Sequence, residues 1–570
     1  MLSGALRRVF AGAVTCMTGV LVAGCVSSGP SPDPPPAPGA PAGDPAVVQT
    51  DAGAVRGTVT DRYRFFGGIP YAAAPVGDLR WRAPEPPRSW PQVRDATIPG
   101  PRCIQNPAGD PEGGRNSDED CLTLNVWTPP PDGVLRPVLV WIHGGGFVNG
   151  GGAMFNSEWF VERGDIVVVT INYRLGTLGF LAHPELGPPG AVGNYGFLDQ
   201  QAALRWVRAN IAGFGGDPDR VTIAGESAGG MAVCDHLAAP GSAGLFHAAI
   251  IMSAPCQGQV DVDTAEQVSL RYAAEVGCGD PGAAAACLRG LPPEAVAAPV
   301  SYFEFGTEKL SGPVTGTEAL PVDPVDAIAE GRVARVPVLI GTNRDEFTLF
   351  AGLRYLREGE RFAAEDHPRL LAEIFGDDAA AVAARYPLED YPSPALAYSA
   401  AVTDSLFACL SERLADQLAR HQPVYSYEFA DRDAPAPEPL RTLPFPVGAG
   451  HSLELRYLFD VGGAPALTAA QRALSEQMID YWSAFVATGV PATDGHPDWP
   501  AHRAAADSGA GPDESPTDRD PGDGGPGDGG PGDGGPGAGP ARMSLRPGGS
   551  TVVDDFATEH RCVFWAELAG

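Results

Sequence analysis

Positive charge is what this 570-residue chain has least of: 39 Lys and Arg stand against 70 Asp and Glu, a formal net charge of −31. Such a surface repels phosphate backbones, which excludes nucleic acid as a partner, and by itself it names no other. A membrane-length apolar run is also missing. The most apolar stretch, "VFAGAVTCMTGVLVAG" (9–24), falls short of the ~20 residues of a bilayer span. No internal repeat of domain size occurs. No compact set of metal ligands stands out either: Asp523, Asp528 and Asp533 recur in "PGDGGPGDGGPGDGGPGAGP" (521–540) too regularly, and too flanked by Gly, for a ligand cage. What is present is apolar material for a sizeable core, 44% of residues.

The N-terminus reads as an export signal. Arg7 and Arg8 precede the apolar stretch, and small residues close it. Its end, Val22-Ala23-Gly24-Cys25, resembles the lipobox of bacterial lipoproteins. That resemblance implies a lipoprotein signal over 1–24, lipid on Cys25, and a chain exported and anchored to the outer side of the cell membrane, or otherwise secreted. A Pro-rich tether (25–47) follows, then one long region (48–570). Within it, the polar tract at about 503–540 cannot bury enough apolar surface to order itself and reads as a disordered insertion. Export permits disulfides. Cys103 and Cys121 bracket a polar loop, Cys278 and Cys287 a short Ala-rich one, and Cys409 with Cys562 could close a long one; sequence alone does not fix the pairing. Cys234 and Cys256 are expected as buried free thiols rather than as a mutual bridge.

Six Val- and Ile-rich runs read as buried strands: 137–142, 165–173, 220–225, 247–254, 336–341 and 424–430. Between the second and third, Ala203, Leu204, Val207 and Ile211 have helical spacing. Strand–helix–strand repetition predicts an α/β fold with a mostly parallel central sheet flanked by helices. The third run ends in "GESAGG", and a helical pattern follows. With 73 Gly in the chain, a G-x-S-x-G match is expected roughly half a time by chance. The strand–turn–helix setting is what makes Ser227 a candidate nucleophile. "HGGGF" (143–147) leaves the first strand, so the N–H groups of Gly145 and Gly146, with that of Ala228, are candidate oxyanion donors. Beyond the fifth strand, "TNRDEF" offers Asp345 or Glu346 as the acid. Of the six later histidines (His367, His421, His451, His496, His502, His560), only His451 follows a flexible "GAG" past the last strong strand, the place for a general base.

These stations, in order with "FFGGIPYAAAPVGDLRWRAPEPPRSW", "EDCLTLNVWTP", "NYRLGTLGF", "GTNRDEFTLF", "GAGHSLELRYLF" and "YWSAFVATGVP", resemble the type-B carboxylesterase family, which includes the cholinesterases. The resemblance covers nearly all of the chain past the tether. It implies an α/β-hydrolase fold and hydrolysis of a small-molecule carboxylic ester through an acyl-enzyme, with no cofactor and no metal. Ser227 is then the nucleophile, Glu346 the acid and His451 the base, with Gly145, Gly146 and Ala228 as the oxyanion hole. It also implies disulfides Cys103–Cys121, Cys278–Cys287 and Cys409–Cys562, and ion pairs Arg80–Glu119 and Arg174–Asp199. In cholinesterases the loop closed by the first disulfide carries a tryptophan for the quaternary ammonium. Here "CIQNPAGDPEGGRNSDEDC" has no aromatic residue, which argues against choline esters. A non-catalytic binding module on the same fold, or amide or thioester cleavage by the same groups, are the alternatives. Nothing in the sequence assigns an oligomeric state.

Overall fold

The β-branched runs become strands because each is buried on both faces, as parallel strands with crossover helices must be. A computed structural model describes residues 43–107, 116–305, 308–504 and 541–569. The predicted signal (1–24), Cys25, the tether up to residue 42, and residues 505–540 of the insertion lie outside the described residues.

Eleven strands form the main sheet: β1 (Thr58–Val59), β2 (Arg64–Pro70), β3 (Thr123–Thr128), β4 (Arg136–Ile142), β5 (Val167–Ile171), β6 (Gly216–Glu226), β7 (Ala248–Met252), β8 (Val338–Asn343), β9 (Val424–Phe429), β10 (Arg542–Leu545) and β11 (Thr551–Val553). Their order across the sheet is β11-β10-β9-β8-β7-β6-β4-β5-β3-β2-β1. From β10 to β5 every pairing is parallel; both edges are antiparallel. All six strands expected from sequence are present. Alternation along β4 divides the core: Val138, Val140 and Ile142 join one apolar layer, Leu139 and Trp141 the other.

The helices used below are α1 (Glu158–Gly164), α2 (Tyr195–Asn210), α3 (Ala228–Ala238), α4 (Cys409–Ala419) and α5 (Ala469–Thr488). Ala203, Leu204 and Val207 of α2 and the following Ile211 are all fully buried, as their spacing predicted. α5 starts on a capping box: Thr468 Oγ1 accepts from Gln471 N–H while Gln471 Oε1 accepts from Thr468 N–H.

The three expected disulfides form, as do the ion pairs Arg80–Glu119 (2.6 Å) and Arg174–Asp199 (2.7 Å), both buried. The expectation of free thiols at Cys234 and Cys256 is corrected: the two are bridged, with Cα atoms 6.2 Å apart. Cys234 lies on α3 and Cys256 in the turn after β7. The parallel pairing of β6 with β7 brings the two segments together, a contact that the 22-residue separation did not signal. On either side of the 505–540 tract the chain returns to one side chain. Ser426 Oγ on β9 lies 2.9 Å from His502 Nδ1 and donates to Ala541 O at 3.3 Å.

Candidate active site

β6 ends at Glu226 and α3 begins at Ala228, leaving Ser227 alone on the corner between them at φ 58°, ψ −125°. That conformation is strained for a residue with a Cβ and needs its surroundings to enforce it. Ser227 N–H donates to Met252 O (2.9 Å), tying the corner to the end of β7. The turn is tight enough that a Cβ on Gly225 would lie 2.3 Å from the Gly229 backbone, so glycine is required there. The side chain of Ser227 is thereby presented at the C-terminal edge of the parallel strands, where open α/β sheets place their sites.

The "HGGG" loop lies beside it. A Cβ on Gly144 would come within 3.2 Å of Ser227 Cβ. Gly145 (φ 104°) and Gly146 (φ 60°) turn the loop, and Gly145 O accepts from Val148 and Asn149 N–H at 3.0 and 3.1 Å. No acceptor among the described residues takes the N–H of Gly145, Gly146 or Ala228. His143 anchors the loop as a neutral scaffold. Its ring stacks on Tyr173 with centroids 4.4 Å apart, and burial pulls its pKa down to about 4. Leu310 closes over the loop, its side chain in contact range of Gly146.

The structure separates Asp345 from Glu346. Asp345 pairs with Arg432 (2.8 Å) and accepts from Ala449 N–H rather than from the imidazole. Glu346 is fully buried, and His451 Nδ1–H donates to its Oε2 at 2.5 Å. Its other oxygen accepts from Thr342 Oγ1–H (2.7 Å) and Asn343 N–H (2.6 Å), which fixes the carboxylate. The imidazole packs between Phe350 and Phe407, ring centroids 5.1 and 5.3 Å away. Its Nε2 is buried without a hydrogen-bond partner. That nitrogen is nevertheless 3.2 Å from Glu226 Oε1, within ion-pair range but off hydrogen-bond geometry. His451 is thus bonded to Glu346 and reaches Glu226, the residue before Ser227, while the glycine loop lies beside Ser227.

Sequence reasoning missed a second layer of acid. Glu226, the variable position of the G-x-S-x-G pattern, and Glu454, three residues after His451, are both buried. Ser452 Oγ–H donates to Glu226 Oε1 at 2.6 Å, and Asn343 Nδ2–H donates to Glu454 Oε2. Burial raises Glu226 despite the opposing pull of His451 and Ser452; burial also lifts Glu454 well above the carboxylate range, with Glu226 and Glu346 adding to it. Burial would push His451 down, but the charges of Glu226 and then Glu346 carry it up to about 9. The cluster thus favours the imidazolium, the species a general base becomes when it takes a proton. The signal available in the sequence was the offset of three from His451 to Glu454, which lies in the short turn Leu453–Tyr457 just after the histidine.

A model of the Carboxylesterase family matches residues 44–509. Among curated proteins, phenmedipham hydrolase of Pseudarthrobacter oxydans is 37% identical over 80% of this chain and 93% of its own. Para-nitrobenzyl esterase of Bacillus subtilis (strain 168) is 34% identical over 80% and 92%. Among solved structures, a Geobacillus stearothermophilus carboxylesterase superposes with a TM-score of 0.73 at 31% identity, covering 91% of this chain and all of that one.

Proposed function

The chain belongs to the carboxylesterase family and is a serine carboxylesterase of the α/β-hydrolase fold; on that premise we propose that Ser227, His451 and Glu346 carry its chemistry. The observation that carries the assignment is the position of His451. One nitrogen is bonded to a fixed, buried Glu346, and the other is unpartnered beside the strained Glu226–Ser227 corner.

Ser227 Oγ attacks the ester carbonyl carbon while its proton passes to His451 Nε2. Glu346 holds the ring by Nδ1–H and stabilises the imidazolium. The N–H groups of Gly145, Gly146 and Ala228 receive the oxyanion, each worth about 3 kcal/mol. The alcohol leaves with the proton from Nε2, and water, activated by the same imidazole, releases the acid. Leu310 by the glycine loop and Phe350 and Phe407 beside the imidazole favour esters with apolar groups. The relatives' names make phenmedipham and p-nitrobenzyl esters the first probes. Ser227→Ala is expected to lower kcat by about 10⁴-fold or more while the protein stays folded. Turnover surviving in that variant would move the nucleophile elsewhere.

We further propose that residues 1–24 are a lipoprotein signal, that Cys25 is lipidated, and that 48–570 is an exported catalytic region on a tether, interrupted by an insertion at about 503–540. Four disulfides support an oxidising compartment. No helix among the described residues is long and apolar enough to cross a membrane. Mass spectrometry of the N-terminal peptide decides: a diacylglyceryl Cys25 is expected, and an unmodified N-terminus at another residue would refute it.

A further inference from the structure

Away from the triad, α1, α5 and the loop after Tyr457 enclose a cavity of about 480 Å³. Its lining is apolar in one part: Trp159, Phe459, Leu467 and Ile479. Phe459 is fully buried and packs on Trp141 of β4, ring centroids 4.7 Å apart, so this wall belongs to the core and is fixed. Two arginines, Arg456 and Arg472, line the same cavity. Among the described residues neither guanidinium has a carboxylate partner; that of Arg456 makes no hydrogen bond, and that of Arg472 donates only to Leu467 O.

Counter-charges are abundant in this molecule, in which acids outnumber bases 70 to 39. The other charged groups at the rim are mostly satisfied. Arg163 pairs with Asp480 and Glu476, and Glu162 with Arg62, leaving Asp460 as the acid without an ion-pair partner. Arg456 is half-buried, so its guanidinium has given up part of its hydration without a contact ion pair in return; Asp460 acts on it only from a distance. Burial lowers its pKa and Asp460 opposes that, yet a guanidinium stays charged. A planar donor fork left open at the mouth of an apolar cavity of ligand size matches a carboxylate that carries an apolar tail.

We infer that this cavity is a binding site for amphipathic carboxylates, with Arg456 and Arg472 taking the carboxylate and the Trp159–Phe459–Ile479 wall taking the chain. Ester hydrolysis releases acids of this class. The site is separate from the triad, although Arg456 stands on the same short turn, Leu453–Tyr457, as Glu454.

The test uses the whole purified protein and a decanoic acid bearing a diazirine, photolysed at increasing concentration and followed by peptide mapping. Saturable label is expected on peptides from 158–164 or 459–479, displaced by decanoate but not by decanol. Arg456→Met should weaken that labelling about tenfold, the cost of one charged hydrogen bond, and Arg456→Lys should recover part of it. Hydrolysis of p-nitrophenyl acetate at the wild-type rate shows that each variant is folded. Label confined to peptides around Ser227, equal displacement by decanol, or labelling unchanged in Arg456→Met/Arg472→Met would overturn the assignment.

Discussion

Two buried histidines in this protein keep nearly the same company and differ in how their second nitrogen is used. His451 has Glu346 at 2.5 Å and Glu226 at 3.2 Å; His560 has Asp404 at 2.5 Å and Glu428 at 2.9 Å. In both, burial pulls the pKa down, and the flanking carboxylates overcome it and carry it up to about 9. The difference is in the second nitrogen. His560 donates from both nitrogens, and its acids are themselves held, Asp404 by Tyr386 and Glu428 by Arg344. Its network is closed, and the Cys409–Cys562 bridge pins it where α4 meets the C-terminus. His451 keeps Nε2 without a hydrogen bond, 3.2 Å from the carboxylate of the residue that precedes the strained Ser227. A raised pKa and acidic neighbours are thus shared by a strut and a candidate base; the unclaimed nitrogen distinguishes them.

The most direct way to break this comparison is to remove each ring. His451→Gln should lower kcat by about 10⁴-fold or more with little loss of stability. His560→Gln should leave kcat within a few-fold and cost about 3 kcal/mol in urea unfolding, as for a buried pair that loses one partner. Similar kinetic damage from both would show that the second nitrogen is not what matters. Replacing the acids sharpens the point. Glu346→Gln should cost about 10⁴-fold in kcat, by analogy with triads whose acid is made neutral, whereas Asp345→Asn, which touches Arg432 instead, should cost less than about threefold, within the range of a surface pair. Equal losses would refute the assignment of Glu346.

Stability against pH is a third discriminator. The folded-state pKa of His560 is raised above its unfolded value near 6.5, so its contribution is fully present below pH 6.5 and is lost as pH rises towards 9. Unfolding followed from pH 6 to 9.5 should show a decline of about 3 kcal/mol at most from this residue, absent in His560→Gln. The smallest effect concerns Glu226. The base works only when neutral, so kcat/KM should climb with pH through the raised pKa of His451. Glu226→Gln removes the largest charge that raises it, and the acidic limb should move down by about one unit. A limb that stays in place would mean that Glu226 does not act on the imidazole.

Much of this was legible in the sequence because it is local or periodic. The six strands announce themselves by unbroken β-branched runs, and Ser227 by the glycines that its corner demands. Glu226 was hidden inside a pattern that treats its position as arbitrary, although the fold buries it against His451. His560 sat in a polar terminal stretch and gave no sign that Asp404, 156 residues earlier, waits beside it. The Cys234–Cys256 bridge had the same problem, for it depends on which strands pair. Choosing between Asp345 and Glu346 needed the side of one loop, which adjacency in sequence cannot tell.

Ser426 supplies a last consequence. Because His502 and Ala541 both meet one hydroxyl, the two ends that flank residues 505–540 stand side by side, the geometry of a detour rather than a span. The cost of closing such a detour grows only logarithmically, about 0.6 kcal/mol for each doubling in length. Evolution can therefore rewrite or lengthen it without consulting the sheet, and an engineer can use the same doorway to mount a second domain on a working hydrolase.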